Sequence, residues 1–348
     1  MTTSNQSFKT FPFAGMALDP IHVGTGGTRL GRVDNTIVRD PVTKIPKIPG
    51  SSLAGVIRAY VAMKYENDKP GRQVDGKPKP YYPDCAGLGQ PKSDGTGGHC
   101  GEADCPVCTV FGFAKGTGAS GGFAGLAAFS DMQVLLFPVA SQLGPQWITC
   151  PMALRQVGVE IDDSTIQDAV YSKRKEAQKE TGEKKEKYFL NLGWLLLKVN
   201  TDWEQWEAVT EKLKTLTVPH YLMSRLGVVS DKLFTHIVNS NLEVRTSVAI
   251  DPATGAAEEG ALFTYEALPR GTVLFWEVTC RNPKHFKINQ GDVKAVDSPE
   301  EVKNVVINAN PYLEHLGIGG MGSRGMGRLR VLSKEKPADA DSSGKEVS

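Results

Sequence analysis

The stretch from Val33 to Tyr60 reads VDNTIVRDPVTKIPKIPGSSLAGVIRAY and carries the clearest structural signal in the chain. A short strand is expected at 36–38, followed by turn-forming residues. The Pro-Gly-Ser-Ser turn then leads into apolar residues with a helical period, which are Leu53, Val56, Ile57, Tyr60 and Val61. This period predicts an amphipathic helix packed on a core, with Ser51 or Ser52 as its N-cap.

Composition limits the classes of protein that fit. With 348 residues, 40% hydrophobic and 23% charged, the chain is long enough for one large domain or two modest ones. Its formal net charge of +1 excludes a polycation, so binding to nucleic acid would depend on local charge. Basic residues do outnumber acidic ones before Tyr60, and Arg324, Arg328 and Arg330 have no acidic neighbour within 316–330.

The chain contains no segment that predicts insertion into a membrane. No apolar run approaches the roughly 20 residues that span a bilayer. The N-terminus also lacks the basic and apolar regions of a signal peptide. We therefore expect a cytoplasmic protein with no membrane partner.

Strand-like segments dominate the pattern, and a few helices interrupt them. Residues 125–140 predict a pair of strands, 189–199 a buried strand, and 202–216 a second packing helix. The spacing is not that of repeated βαβ units. It favours an α+β domain with a mainly antiparallel sheet.

Polar insertions divide this domain, which we place at 1–332. They are expected at about 66–120, which holds a cysteine-rich loop, at 164–188, which is a charged run, and at 240–270. The first insertion begins with a segment rich in Pro, Lys and Gly that should be exposed, and the third is typical of a projecting hairpin around Asp-Pro-Ala-Thr-Gly. The polar tail at 333–348 should be disordered.

Five residues in the cysteine-rich loop have the chemistry of a metal site. Cys105 and Cys108 have the spacing of a zinc knuckle, and Cys100 supplies a third ligand. Either Cys85 or His99 can be the fourth. Four soft ligands leave no open position, so a structural Zn²⁺ is favoured over a catalytic one, the alternative being free thiols in a reducing cell.

A glycine-rich segment near the C-terminus reads LGIGGMGSRGMGRLRV from Leu316 to Val331. Glycines leave backbone N–H groups open to phosphates, and Arg324 and Arg328 add charge. The spacing is neither a P-loop nor a dinucleotide fingerprint, which argues against ATP or NAD. The same residues also suit a simple turn before a terminal strand.

Taken together, these motifs resemble a known family. IPGSSLAGVIR, CPVCTVFGF and GIGGMGSRGMGRLRV look like the RAMP superfamily of CRISPR effector subunits. PIHVGTG, the stretch from Val33 to Tyr60, SDKLFTHIV and GALFTYEALP are similar to backbone subunits of type III effector complexes, of the Cmr or Csm kind. The resemblance extends from Leu18 to Val331.

The resemblance implies a ferredoxin-like, RRM-related core with an antiparallel sheet, an inserted zinc-bearing lid and a thumb β-hairpin. It also implies partners, namely a CRISPR RNA, a complementary single-stranded target RNA, further copies of the chain and other type III subunits. In this family, the thumb displaces nucleotides of the guide–target duplex at regular steps, and the subunit cuts the target RNA beside them.

The resemblance places the cleavage residue of the family at Asp34, where Mg²⁺ or Mn²⁺ would act because a lone aspartate is a weak base at neutral pH. Without the resemblance, Asp34 would be interpreted as part of an Asp-Asn turn. His22 looks like a position near the guide or a satisfied strand-end histidine. Glu266 is a candidate acid–base partner or a solvated strand residue.

Guide binding is expected to use backbone contacts that carry no sequence information. The residues expected to supply them are Arg39, Lys44, Lys47, Ser51, Ser52 and Arg58 on one side, and Gly320, Gly322, Arg324 and Gly325 on the other.

Other functions remain open at this point. A backbone subunit could hold the guide without cutting, although Asp34 counts against it. A zinc-stabilised RNA-binding or scaffold protein unrelated to CRISPR is a second alternative, and a guide-processing nuclease using His22 is a third.

Overall fold

The computed structural model describes residues 6–26, 33–87, 98–114, 121–162, 165–172, 178–179 and 188–332. The predicted tail at 333–348 and most of the charged insertion at 164–188 lie outside the described residues.

Eight α-helices are found in the described part of the chain: α1 Gly50–Asp68, α2 Pro106–Phe111, α3 Pro151–Gln156, α4 Trp206–Thr215, α5 His220–Met223, α6 Asp231–Ser240, α7 Pro299–Ile307 and α8 Asn310–His315. The strands of the same part are β1 Phe8–Ala17, β2 Lys47–Ile48, β3 Gln73–Val74, β4 Lys77–Pro78, β5 Ala127–Phe129, β6 Met132–Val139, β7 Gln146–Thr149, β8 Val170–Tyr171, β9 Gln178–Lys179, β10 Tyr188–Leu192, β11 Leu195–Asn200, β12 Leu226–Val228, β13 Glu243–Ile250, β14 Ala257–Ala267, β15 Val273–Arg281, β16 Lys287–Ile288, β17 Gly291–Asp292 and β18 Leu329–Leu332.

One large sheet organises the described residues and confirms the α+β prediction. It contains 12 strands, in the order β18-β1-β15-β6-β7-β12-β8-β11-β10-β9, with β2 on β6 and β5 on β15. Its pairs are antiparallel except β7 with β12 and β8 with β11. Helices α1, α2 and α7 pack together beside β5, β1 and β15. The apolar run of β15 is accordingly buried from Val273 to Trp276.

Helix α1 confirms the predicted amphipathic helix, but its first turn is held differently. Leu53, Ile57 and Val61 are buried, as the period predicts. No serine side chain caps the helix; the backbone N–H of Gly50 instead donates to Asp131 Oδ1 at 2.8 Å. A Cβ on Gly50 would lie 2.6 Å from the carbonyl oxygen of Phe129, so this close approach to the sheet requires glycine.

We therefore expect Gly50→Ala to lower the free energy of unfolding by roughly 1–3 kcal/mol, because a carbonyl oxygen of the sheet would have to move. Gly55→Ala is the matched control. Gly55 lies in the same helix, and a Cβ there would meet nothing within 4 Å, so alanine should raise stability by up to about 1 kcal/mol. Urea denaturation of both variants measures the difference, and equal effects would contradict the packing argument.

Two strand predictions are wrong in detail. Strands β5 and β6 do not pair with each other; both lie along β15, where the Ser130 N–H donates to the Glu277 carbonyl oxygen at the break between them. The segment 189–199 is not one strand but belongs to the hairpin β10–β11. Gly193 adopts φ +61° at its tip, a conformation that the turn requires and that apolar content does not reveal.

Most of the segment before the cysteines is exposed, as predicted, but Lys79, Tyr81 and Asp84 near its end are buried. It contains the short hairpin β3–β4 and folds back on α1, since the backbone N–H of Tyr81 donates to Glu66 Oε2 at 2.7 Å. Lys79 and Asp84 are both buried and form an ion pair at 3.3 Å. The pairing of these two charges explains how they can be buried at the end of so polar a segment.

The predicted hairpin is confirmed as β13–β14, with Asp251 capping its tip through the N–H of Ala253. The predicted strand at 36–38 is reduced to isolated bridges. Asn35 pairs with Tyr265, and Ile37 with Gly24, so this loop runs along the base of the hairpin.

Candidate active site

The base of the β13–β14 hairpin lies between two loops that the sequence analysis singled out. Tyr265 and Ala267 pack with Met326 of the glycine-rich segment. Thr264 and Glu266 alternate with them along β14 and contact the loop 33–39. The hairpin base therefore brings together chain segments that are far apart in sequence.

Asp34 is fixed to the hairpin by Thr264. Its Oδ2 accepts hydrogen bonds from the Thr264 backbone N–H at 2.8 Å and from the Thr264 hydroxyl at 2.9 Å. The backbone N–H of Asp34 donates to the same hydroxyl oxygen at 3.1 Å. No hydrogen bond from another described residue reaches Oδ1.

These bonds set the charge of the site. The backbone N–H and then the hydroxyl of Thr264 lower the pKa of Asp34 below its ordinary value of 3.8, because both stabilise the carboxylate. Asp34 is thus ionised at neutral pH. A carboxylate of this kind suits cation binding better than proton abstraction.

His22 lies on the other side of the hairpin base and is buried. Its Nδ1 is 2.6 Å from the backbone carbonyl oxygen of Glu266, so Nδ1 carries the proton. Its ring meets Tyr265 edge-on, and its own carbonyl oxygen accepts from the N–H of Gly320. His22 therefore joins the hairpin to the glycine-rich segment, and no contact places it against Asp34.

Glu266 and Arg39 form an ion pair. Their atoms Oε2 and Nη2 lie 2.8 Å apart, and both side chains are mostly shielded from solvent. Arg39 also donates to Asn239 Oδ1 and to the Ile37 carbonyl oxygen. The pair positions the loop 33–39, so Glu266 is not a solvated strand residue, and the geometry leaves Arg39 little capacity for phosphate.

The glycine-rich segment forms an exposed loop next to His22. Gly320, Gly322, Arg324 and Gly325 are exposed, as guide contacts need to be. A Cβ on Gly319 would lie 2.4 Å from the carbonyl oxygen of His22, which explains the glycine at that position. The structure thus places this segment against the site instead of leaving it as an isolated turn.

Sequence reasoning missed two further arginines at this loop. Arg245 donates to the carbonyl oxygen of Arg324, whose guanidinium lies over the ring of Phe263. The hydrogen bond of Arg328 lowers the pKa of Asp19, and the charges of Arg270 and Arg245 add to the effect. The three-dimensional cluster has no signal in sequence order, because Arg245 lies on β13 and Arg270 follows β14, both far along the chain from the glycines.

Some of the other predicted guide-binding residues are accessible, and the rest are bound by neighbouring residues of the protein. Lys44, Ser51 and Ser52 are exposed or half-buried near the start of α1. Lys47 is bound to Asp131 at 2.6 Å. Arg58 faces inward, where its Nε donates to the Cys85 carbonyl oxygen at 2.7 Å. Its prediction as a guide contact does not fit this burial, because its face of α1 is covered by the cysteine-rich loop.

The cysteine-rich loop brings four sulfurs together. The Sγ atoms of Cys85, Cys100, Cys105 and Cys108 lie within 4.8 Å of one another, and all four residues are buried. Cys105 caps α2, where its Sγ accepts from the Cys108 N–H, the arrangement of a metal knuckle. Hydrogen bonds from the other cysteines, Cys105 first, lower the pKa of Cys100.

His99 lies outside this set of four. It is buried, and neither ring nitrogen has a hydrogen-bond partner among the described residues. Burial, and then the charge of Arg58, lower the pKa of His99 to about 4, so the ring is neutral at pH 7. The geometry thus favours Cys85 over His99 as the fourth ligand.

Among the described residues, no helix combines the length and the apolar character needed to cross a membrane.

Comparison with known proteins gives a relative that spans nearly the whole chain and others that span less than a third of it. The CRISPR system Cmr endoribonuclease Cmr4 of Pyrococcus furiosus is 23% identical over 327 residues, 91% of this chain and 93% of the relative. A CRISPR system Cms endoribonuclease Csm3 of Methanothermobacter thermautotrophicus is 29% identical over 104 residues, 29% of this chain and 32% of its own length.

Solved structures share the fold. A crystal structure of Cmr4 superposes with a TM-score of 0.55 at 18% identity and covers 93% of this chain and 100% of its own. A subunit of the Type III-B Cmr-beta complex bound to cognate target RNA, solved by cryo-EM, superposes with a TM-score of 0.57 at 15% identity and covers 94% and 99%. The sequence model of the RAMP superfamily matches residues 16–330, and the chain belongs to this superfamily.

Proposed function

We propose that this chain is a backbone subunit of a type III CRISPR effector complex, which holds a CRISPR RNA and cleaves complementary target RNA at regular intervals, using Asp34. The observation that carries the proposal is the ionised carboxylate of Asp34, fixed by Thr264 at the base of a projecting hairpin. Its relatives Cmr4 and Csm3 are named endoribonucleases, which supports the same activity here.

RNA brings its own nucleophile to such a site. A kinked, unpaired nucleotide can place its 2′-hydroxyl in line with the adjacent phosphate. Attack by this oxygen would form a 2′,3′-cyclic phosphate and break the bond to the 5′-oxygen of the next nucleotide, while water takes the proton from the 2′-hydroxyl and returns one to the 5′-oxygen. Asp34 Oδ1 is a hard oxygen ligand, and Mg²⁺ or Mn²⁺ is commonly held by one carboxylate together with phosphate oxygens and water. When bound, such an ion neutralises charge on the scissile phosphate. The remaining task of the protein is to fix Asp34 and the RNA backbone.

The guide would lie along the loop and arginines beside the hairpin. Exposed backbone at Gly320, Gly322 and Gly325 can approach phosphates closely, and Arg270 and Arg324 add charge. Near the start of α1, Lys44 and Ser51 are exposed and Ser52 is half-buried. Base pairing with the guide would supply the sequence specificity.

We expect removal of two of these charges, in Arg270→Ala with Arg324→Ala, to weaken guide RNA binding and to flatten its salt dependence. Each lost contact with single-stranded RNA should reduce the slope of log K against log salt concentration by about 0.7. Filter binding of guide RNA at several salt concentrations measures the slope. Lys214→Ala removes one charge from an exposed ion pair on α4 and serves as the control. A slope in the double variant equal to that of the native protein would contradict the proposal that Arg270 and Arg324 contact the guide.

The cysteine cluster fits a structural Zn²⁺. Tetrahedral zinc with bonds of about 2.3 Å places sulfurs about 3.8 Å apart, and the Sγ atoms of Cys100 and Cys108 lie 3.6 Å apart, those of Cys85 and Cys105 4.0 Å. Four thiolates around Zn²⁺ leave excess negative charge. Arg58 supplies nearby positive charge, and its buried Nη2 has no hydrogen-bond partner among the described residues.

The finer architecture follows from these assignments. The sheet around β1, β15 and β6 would be the ferredoxin-like, RRM-related core, the zinc-bearing loop its lid, and β13–β14 its thumb. Further copies of the chain would stack along the guide, together with other type III subunits, in the cytoplasm.

A further inference from the structure

We propose that Thr264 is the positioning residue that sets the orientation of Asp34, and that it makes cleavage depend on the position of the base of the β13–β14 hairpin. This inference rests on the proposed function and deepens it. Thr264 itself need not touch RNA; it acts through the carboxylate.

The geometry closes a small ring between the two residues. The Asp34 backbone N–H donates to the Thr264 hydroxyl oxygen at 3.1 Å, and that hydroxyl donates to Asp34 Oδ2 at 2.9 Å. The direction of the second bond is fixed, because an ionised carboxylate only accepts. The Thr264 backbone N–H adds a second donor to the same oxygen at 2.8 Å.

This ring selects one of the two carboxylate oxygens. Oδ2 receives both donors, whereas Oδ1 receives none from another described residue. The side chain is therefore locked with Oδ1 directed away from Thr264. A side chain held in this way loses less conformational freedom when it binds a cation or substrate.

The same contacts tie the loop to the hairpin. The Asn35 N–H donates to the Thr264 carbonyl oxygen at 3.0 Å, and the Glu266 N–H donates to the Asn35 carbonyl oxygen at 3.0 Å. Asp34 and Asn35 therefore follow β14 as an added strand would. A shift of the hairpin along its axis would move Asp34 with it. The carboxylate therefore has the position described here only while the base of the hairpin keeps its own position.

Substitutions that separate the hydroxyl from the shape of the side chain test this role. Thr264→Val keeps the branched shape and the backbone N–H but removes both hydroxyl bonds, whereas Thr264→Ser keeps the hydroxyl. Thr246→Val is the control. Thr246 is an exposed residue of β13 that lies directly opposite Thr264, and the substitution makes the same chemical change there. Each variant is assembled into the complete complex, and target affinity and single-turnover cleavage at saturating complementary RNA are measured.

We expect Thr264→Val to slow cleavage roughly 10- to 100-fold, in the range found when an outer partner of a functional carboxylate is removed. Target affinity and complex assembly should stay at the native level. Thr264→Ser should cleave within about 3-fold of native, because the hydroxyl bonds remain, and Thr246→Val should match native. In an Asp34→Asn background, Thr264→Val should cause no further loss.

Other outcomes overturn the inference in distinguishable ways. If Asp34→Asn abolishes cleavage but Thr264→Val cleaves at the native rate, the positioning role is wrong and the proposed function stands. If Thr264→Val loses target affinity or slows the Asp34→Asn complex further, its role is general packing of the hairpin. If the native complex does not cleave at all, both proposals fail.

Discussion

A complex that carries Asp34→Asn is expected to bind complementary target RNA as tightly as the native complex and to cleave it at least roughly 100-fold more slowly. Asparagine preserves the shape of the side chain but removes the negative charge that a divalent cation needs. Single-turnover rates at saturating complex, with target binding measured on the same samples, separate the two effects.

Asp40→Asn is the matched control. Asp40 lies in the same loop region, and its Oδ1 accepts from the backbone N–H groups of Val42 and Thr43, so it also holds a turn. We expect this variant to cleave at a rate near native. Equal losses in the two variants would mean that the loop, not the carboxylate of Asp34, limits cleavage.

The pH dependence follows from the direction of the pKa shift. Thr264 lowers the pKa of Asp34 below 3.8, and a lowered pKa keeps the carboxylate charged at every pH above it. The ratio of native to Asp34→Asn rates should therefore stay constant from about pH 8 down to about pH 5. A ratio that already falls between about pH 7 and pH 6 would indicate a group that titrates near neutrality.

Replacing Cys105 should have the largest effect on stability. Cys105→Ser removes one of four buried sulfurs, whereas the serine hydroxyl can still cap α2, so the loss is confined to the metal site. Because binding of zinc by such a site contributes directly to folding, we expect the zinc content to fall from about one ion per chain to near zero. The free energy of unfolding should fall by several kcal/mol.

Metal analysis and urea denaturation on the same preparation measure both quantities. Cys280→Ala is the control, because Cys280 is also buried but lies on β15, outside the cluster. It should keep its zinc. A Cys105→Ser protein with native zinc content would rule out this ligand set.

The sequence pattern correctly predicts those elements that are set by residues close to one another in the chain. Helix α1 follows from the spacing of Leu53, Ile57 and Val61, and the β13–β14 hairpin from turn chemistry between two β-rich arms. The two errors of strand assignment arose where one residue decides the outcome. Gly193 turns an apolar run into a hairpin, and the break at Ser130 keeps β5 and β6 on a common partner.

The site depends on contacts that sequence order does not reveal. The resemblance predicts Asp34, but its partner Thr264 lies on a hairpin strand 230 residues later in the chain. Arg58 has the residue type of a phosphate contact, yet its position on α1 directs it at Cys85. Glu266 and Arg39 were predicted for separate roles, and the fold pairs them with each other.

The role of Asp34 is tested most directly by a map of the cuts in an end-labelled target RNA incubated with the assembled complex, with Mg²⁺ or with EDTA. If Asp34 cleaves the target with a divalent cation, we expect discrete, regularly spaced cuts in complementary RNA with Mg²⁺, none with EDTA, and none when every copy of the chain carries Asp34→Asn. Intact RNA bound to a native complex, or the same cuts with Asp34→Asn, would contradict this role and leave the chain as a subunit that holds the guide without cutting.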